Sequence, residues 1–160
     1  MIQRYFFDTS ALIKLYHQES GSKFLDQMIQ SDKPRIVISS ICVVEIISAL
    51  SKKMRMKTLK LADFDEAITL FESDLSKFEV IQMDSATQDV AYKLVKAIGP
   101  DHNLRTLDAF QLASAIRSAQ LKNLPQGVFI VSDKALAEVA SLQKVQDIQN
   151  LRVLLIEKDE

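Results

Sequence analysis

Four carboxylates, Asp8, Glu45, Asp108 and Asp133, stand in stretches that otherwise read as core. Each lies where a predicted strand hands over to a helix or just inside the helix that follows. In an open α/β sheet, ligands settle in the crevice outside the carboxyl ends of the strands, and acidic side chains gathered there can hold a hard divalent cation through oxygen. The placement therefore predicts a metal site. If the four groups converge to about 5 Å, each pair repels by roughly 3 kcal/mol at an effective dielectric of about 20, so the cluster must hold a cation or take up protons. Oxygen-only ligation, with no His or Cys in the set, selects Mg2+ or Mn2+ over zinc. The chemistry that suits such a site is hydrolysis of a phosphodiester, in which one metal activates water and a second, if present, steadies the leaving oxygen.

Each acid also has a plainer explanation. Asp108 near a helix start complements the macrodipole, and Asp8 or Asp133 after a strand can be an N-cap. Glu45 is flanked by Val43, Val44, Ile46 and Ile47; it either faces solvent on an amphipathic helix or needs a partner, since a lone buried glutamate is costly. The argument for a site rests on the four together. Thr9 and Ser10 directly follow Asp8, so a hydroxyl could orient its carboxylate, hold a water or simply cap a helix, and Ser10 is the better candidate. Arg105, just before Asp108, is a candidate contact for substrate phosphate. The basic run Lys52, Lys53, Arg55, Lys57 and Lys60 reads as a solvated face, a phosphate track or a seat for an acidic partner. His17 and His102 receive no role. Mutual repulsion further predicts that Asp108→Asn stabilises the metal-free chain.

The elements that must position these groups follow from hydrophobic periodicity. A strand over 4–7 ends at Asp8, a helical turn or two covers 10–16, and Gly21 precedes a helix carrying Phe24, Leu25, Met28 and Ile29. A strand over 35–38 leads through the capping Ser39 and Ser40 into a long helix that reaches about Met56 and contains Glu45. A helix over 61–78, a strand over 79–83 and a helix over 85–98 capped by Asp84 come next, closed by Gly99 and Pro100. The helix over 106–120 opens on a Thr cap, has Asp108 in its first turn and turns Ala109, Leu112, Ala113 and Ile116 to one side. The apolar run 127–131 is a strand buried on both faces, Ser132 and Asp133 begin another helix, and 151–156 is the last strand. Strands alternating with helices imply a parallel sheet covered on both sides.

With 160 residues, 48% of them hydrophobic, the chain is expected to form one domain with a sizeable core. A net charge of -1 excludes a strongly basic nucleic-acid clamp, so polyanion binding would rely on local patches and bound metal. The single cysteine, Cys42, rules out an intramolecular disulfide and reads as a buried, inert thiol. No continuous apolar stretch approaches the roughly 20 residues of a membrane span, and a soluble, cytoplasmic protein is expected.

The run Tyr5-Phe6-Phe7-Asp8-Thr9-Ser10-Ala11-Leu12-Ile13-Lys14-Leu15-Tyr16 resembles the opening of a PIN domain, and within that family of the VapC-type toxin ribonucleases. Val43-Val44-Glu45-Ile46 resembles the family's acidic helix, Leu104-Arg105-Thr106-Leu107-Asp108-Ala109 its third acid, and Phe129-Ile130-Val131-Ser132-Asp133 its fourth. The resemblance implies a three-layer α/β/α sandwich with a central parallel sheet of about five strands and an endoribonuclease dependent on Mg2+ or Mn2+. It carries the acidic constellation onto Asp8, Glu45, Asp108 and Asp133, with Ser10 as polar neighbour. Asp8 and Asp108 are then expected as principal metal ligands, with Glu45 and Asp133 completing the charge. A small antitoxin, an RNA substrate and a homodimer are the implied partners. Two positions depart from the pattern: Gln111 stands where many relatives carry histidine, and Val131 where Ser or Thr is common. The rival readings are a PIN-like module that binds RNA or protein without cutting, and a phosphatase of haloacid-dehalogenase type. The latter normally needs a second aspartate two residues after the first, where this chain has Ser10.

Overall fold

The computed structural model of the chain describes residues 2–142 and 148–157. Five strands, β1 (Arg4–Phe7), β2 (Arg35–Ser39), β3 (Glu79–Ile81), β4 (Gly127–Val131) and β5 (Leu151–Leu155), form one sheet in the order β3-β2-β1-β4-β5, with every pair parallel. The chain starts in the middle, walks outward to β3, then returns to the other side of β1 for β4 and β5. The strand order therefore reverses between β1 and β4, which is where open α/β sheets bind ligands.

Alternation along the strands separates two cores, as a pleated sheet with both faces covered requires. Phe6, Val37, Phe129 and Val131 point into one, which is closed by α5 (Ser85–Ile98), α6 (Thr106–Leu121) and α7 (Lys134–Ala140). Tyr5, Phe7, Ile38 and Ile130 point into the other. That side is covered by α1 (Thr9–Leu12), α2 (Ser22–Asp32), α3 (Ser40–Arg55) and α4 (Leu61–Leu75). The result is the expected three-layer α/β/α sandwich. Phe7, Phe129 and Leu112 are wholly buried; each aromatic or leucine so placed stabilises by about 1.5–3 kcal/mol, and Leu112→Ala would cost about 2–5 kcal/mol.

Helix α6 packs between the sheet and α5, which explains its composition. Ala109, Leu112, Ala113 and Ile116 are buried as the periodicity predicts, but so are Gln111, Ser114 and Ser118 on other sides of the helix. Ser114 solves its burial locally, its hydroxyl donating to the Phe110 carbonyl at 2.8 Å; Gln111 does so within the candidate site described below.

Several boundaries differ from the sequence reading. The predicted turn over 10–16 begins at Thr9 and tightens from α-helix to a 3-10 turn at Ile13–Leu15, the tighter winding common at helix ends. Thr106 is not a cap: it is the first residue of α6, and Arg105 occupies the cap position without a side-chain hydrogen bond. Helix α4 ends at Leu75 and β3 at Ile81, both short of the predicted limits. Ser39 and Asp84 cap α3 and α5 as expected, accepting from the backbone N–H of Cys42 and Thr87. Among the described residues no helix is long and apolar enough to cross a membrane.

Candidate active site

Strand β1 delivers Asp8 to the switch point. The Asp8 N–H donates to the Ile130 carbonyl at 2.9 Å, continuing the pairing with β4, and the side chain then turns to cap α1, accepting from the Ser10 N–H at 2.9 Å. Asp8 is thus the helix cap that its position allowed, yet it is only 5% exposed, unusual for a carboxylate. Burial pushes its pKa up to about 6; hydrogen bonds from Ser10 oppose the shift, and the charges of Glu45 and Asp108 add to it. Asp8 therefore feels the charge of two of the other three predicted acids.

Glu45, in the second turn of α3, is half-buried and held by uncharged donors. The Thr9 hydroxyl donates to Glu45 Oε2 at 2.8 Å, with Cys42 Sγ 3.2 Å away. Gln111 Nε2 donates to the same carboxylate oxygen and, at 3.0 Å, to Thr9 Oγ1. The amide can face only one way. Ser39 Oγ already accepts from the Cys42 N–H at 3.1 Å, so its hydroxyl hydrogen goes to Gln111 Oε1 at 2.9 Å, leaving the NH2 for the acceptor-only carboxylate. A buried polar chain thus runs from the cap of α3 through α6 to Glu45.

Asp108, the third residue of α6, and Asp133, the cap of α7, lie nearer solvent. Asp133 Oδ1 accepts from the Leu136 N–H at 3.1 Å, which fulfils its predicted alternative role as a cap. Arg105 joins the two acids: its Nε lies 2.8 Å from Asp108 Oδ2 and its Nη2 3.5 Å from Asp133 Oδ2. The bond and charge of Asp108, reinforced by Asp133 and Asp8, hold the guanidinium pKa above its ordinary value. Ser10 ties this half to Asp8. Its hydroxyl oxygen accepts from the N–H groups of Ser132 and Asp133 at 2.9 and 3.2 Å, fixing the turn after β4 against the start of α1.

All four acids are therefore linked at one end of the sheet. Among the described residues, however, no three His, Cys, Asp or Glu side chains are gathered closely enough to cage a metal ion. The donor chemistry still fits a hard divalent cation. Asp8 is a buried carboxylate with Ser10 as its hydrogen-bonding partner and like charges beside it, a group that a cation would satisfy.

An open cleft of about 570 Å³ adjoins Asp133, with Ser10, Lys14, Glu19, Lys52 and Lys53 on its walls. Lys14 is buried and donates to Glu19 Oε1 at 3.1 Å and the Ser20 carbonyl at 2.6 Å, and Lys53 pairs with Glu19 Oε2 at 2.6 Å. Burial pushes the Glu19 carboxyl up, but hydrogen bonds from Lys53 and Lys14 outweigh that and hold it below its ordinary value. From the predicted basic run, Lys52 and Lys53 face the cleft; Lys57 and Lys60 are exposed beyond the end of α3.

Two residues carry more of this arrangement than their sequence positions suggested. Thr9 joins Ser10 as a hydroxyl bonded to a carboxylate, Ser10 to Asp8 and Thr9 to Glu45. Gln111 is a neutral donor to Glu45; the available signal was a lone amide about one helical turn after Asp108 in a run rich in Ala and Leu.

A central β1 has a switch point beside it, and at that end of the sheet stand acids just after β1 and β4 and acids within the first two turns of α3 and α6. The PIN domain profile matches residues 5–142, and the chain belongs to the PIN domain family. Similar solved structures include VapBC2 from Rickettsia felis bound to a promoter DNA fragment, at 16% identity and a TM-score of 0.62, covering 98% of this chain and 100% of that one. VapC20 from Mycobacterium tuberculosis, a sarcin-ricin-loop-cleaving toxin, aligns at 15% identity and a TM-score of 0.60, over 88% of this chain and 98% of that one. PAE2754 from Pyrobaculum aerophilum aligns at 23% identity and a TM-score of 0.56, over 87% of each chain. At these identities the likeness is one of fold. No curated protein sequence matches the chain significantly.

Proposed function

We propose that this PIN domain, taken as a single unit over its 160 residues, is a metal-dependent endoribonuclease of VapC type, the toxin half of a toxin and antitoxin pair. The observation that carries the reading is the buried, proton-attracting Asp8 at the switch point, with Glu45 and Asp108 as its charged neighbours. Asp8 and Asp108 would hold Mg2+ or Mn2+, whose Lewis acidity would serve phosphodiester hydrolysis. The chain's own residues supply the rest. Thr9 and Gln111 orient Glu45 to accept a proton from an incoming water, Asp133 adds charge at the cleft side, and Ser10 holds the turn that carries it. Arg105 and Lys52 meet phosphate. Toxin-antitoxin relatives of this fold support an antitoxin partner and a cytoplasmic setting, and a homodimer is expected by the same analogy.

The test is cleavage of single-stranded RNA by metal-stripped protein. Activity should appear on adding Mg2+ or Mn2+ and not zinc, and Asp8→Asn or Asp108→Asn should lower it by at least about a hundredfold, as loss of a direct ligand does more than loss of support. Equal cleavage in excess chelator would overturn the mechanism.

One observation favours the rival reading of a binding module that does not cut: Arg105 already spans Asp108 and Asp133. That reading predicts RNA binding, unaffected by metal, without product.

A further inference from the structure

Among the described residues, Arg105 is the one cationic side chain within 4.0 Å of any of the four acids. Its position is specific. The guanidinium fork touches Oδ2 of Asp108 through Nε and Oδ2 of Asp133 through Nη2, so one side chain occupies an oxygen of each of the two outer acids. A planar fork can serve two carboxylates at once in a way that a lysine ammonium, a point charge, cannot. Yet the arm is 65% exposed and starts from the residue before α6. Contacts so open to solvent are weak, and nothing prevents the arm from swinging outward.

We propose that Arg105 is a resident counter-ion of the acidic cluster, which neutralises Asp108 and Asp133 while no metal is bound and competes with a divalent cation for the same oxygens. The inference rests on the metal-binding reading above and adds a competition to it. The guanidinium charge repels a cation and its bonds take up lone pairs on both Oδ2 atoms, so the intrinsic metal affinity is reduced by the occupancy of the bridge.

The experiment is Mn2+ binding, followed by electron paramagnetic resonance, to the full chain as wild type, Arg105→Gln and Arg105→Lys, together with melting curves in chelator and in Mn2+. Arg105→Gln should bind Mn2+ about fivefold more tightly, equivalent to about 1 kcal/mol. It should melt lower than wild type in chelator, where its acids lose their partner, and gain more from added Mn2+. Arg105→Lys should fall between the two. If Arg105→Gln binds equally or more weakly, the competition is overturned while metal binding stands. If Arg105→Lys matches wild type, charge alone sets the affinity and the bridge is overturned. If none of the three proteins binds Mn2+, the metal reading and the competition fall together.

Discussion

The two halves of the acidic cluster are held by opposite means. Glu45 is fixed inside by neutral donors, Thr9 and Gln111, the latter 1% exposed and braced by Ser39. Asp108 and Asp133 are held outside by a charged, solvent-exposed arm. Buried neutral hydrogen bonds are rigid and costly to break because the orphaned partner stays desolvated; exposed ion pairs are weak and salt-sensitive. The inner half is therefore a fixed wall and the outer half an adjustable one, with Asp8 between them carrying the electrostatic cost of both.

Asp8 should show the largest effect. Its carboxyl moves from 3.8 to about 6 on folding, so its contribution to stability is fully present below pH about 3.8 and is lost as pH rises through about 6. The loss amounts to about 3 kcal/mol. Metal-free protein should melt higher at pH 5 than at pH 7.5, as far as this group is concerned. Asp8→Asn, which keeps a good cap but carries no charge, should remove that dependence and exceed wild type at pH 7.5 in chelator. Saturating Mg2+ should close most of that gap, adding about 2.7 kcal/mol to the wild type at a hundred times Kd. Identical melting profiles for the two proteins from pH 4 to 7.5 would show that burial, with the neighbouring charges, does not disfavour the ionised Asp8. The stabilisation expected from charge alone at Asp108→Asn shifts to Asp8, because Asp108 already has Arg105 as a partner.

Gln111→Leu comes next. It fills the same space but leaves Glu45, Thr9 and Ser39 short of a partner, so urea titration should register a loss of about 1–3 kcal/mol, and Arg105→Gln should cost less than about 1 kcal/mol in the same buffer. Equal losses would erase the distinction between the halves. A finer probe is salt: raising ionic strength should shrink the Arg105→Gln difference in chelator and leave that of Gln111→Leu unchanged. The smallest effect concerns the exterior. Helix α4 leaves Leu61 and Leu70 exposed, and light scattering should report a two-fold dimer for the isolated chain; a monomer mass at high micromolar concentration would remove the homodimer from the reading.

The sheet and the acids were legible because they are written in short-range patterns. The short aromatic run Tyr5-Phe6-Phe7 and the apolar run at 127–131 mark strands, and an acid after each marks the crevice. Gln111 and Thr9 were not legible as a pair, since their bonds join α6 to α1 across 102 positions and neither type is unusual in a helix. The Thr106 cap failed for a related reason: the backbone turn at Arg105 provides the boundary, and its side chain is drawn to the acids instead.

Cys42 is the chain's single cysteine, wholly buried, with its sulfur beside the Thr9 hydroxyl and its thiol pushed up to about 12 by burial, a shift eased by Thr9 and reinforced by the charges of Asp8 and Glu45. Such a thiol reacts with alkylating agents only when α1 lifts from α3 and lets it ionise. The protein thus carries an internal clock at the floor of its crevice. The pace at which a maleimide captures Cys42 reports how often that floor opens, with no cysteine engineered and no substrate required.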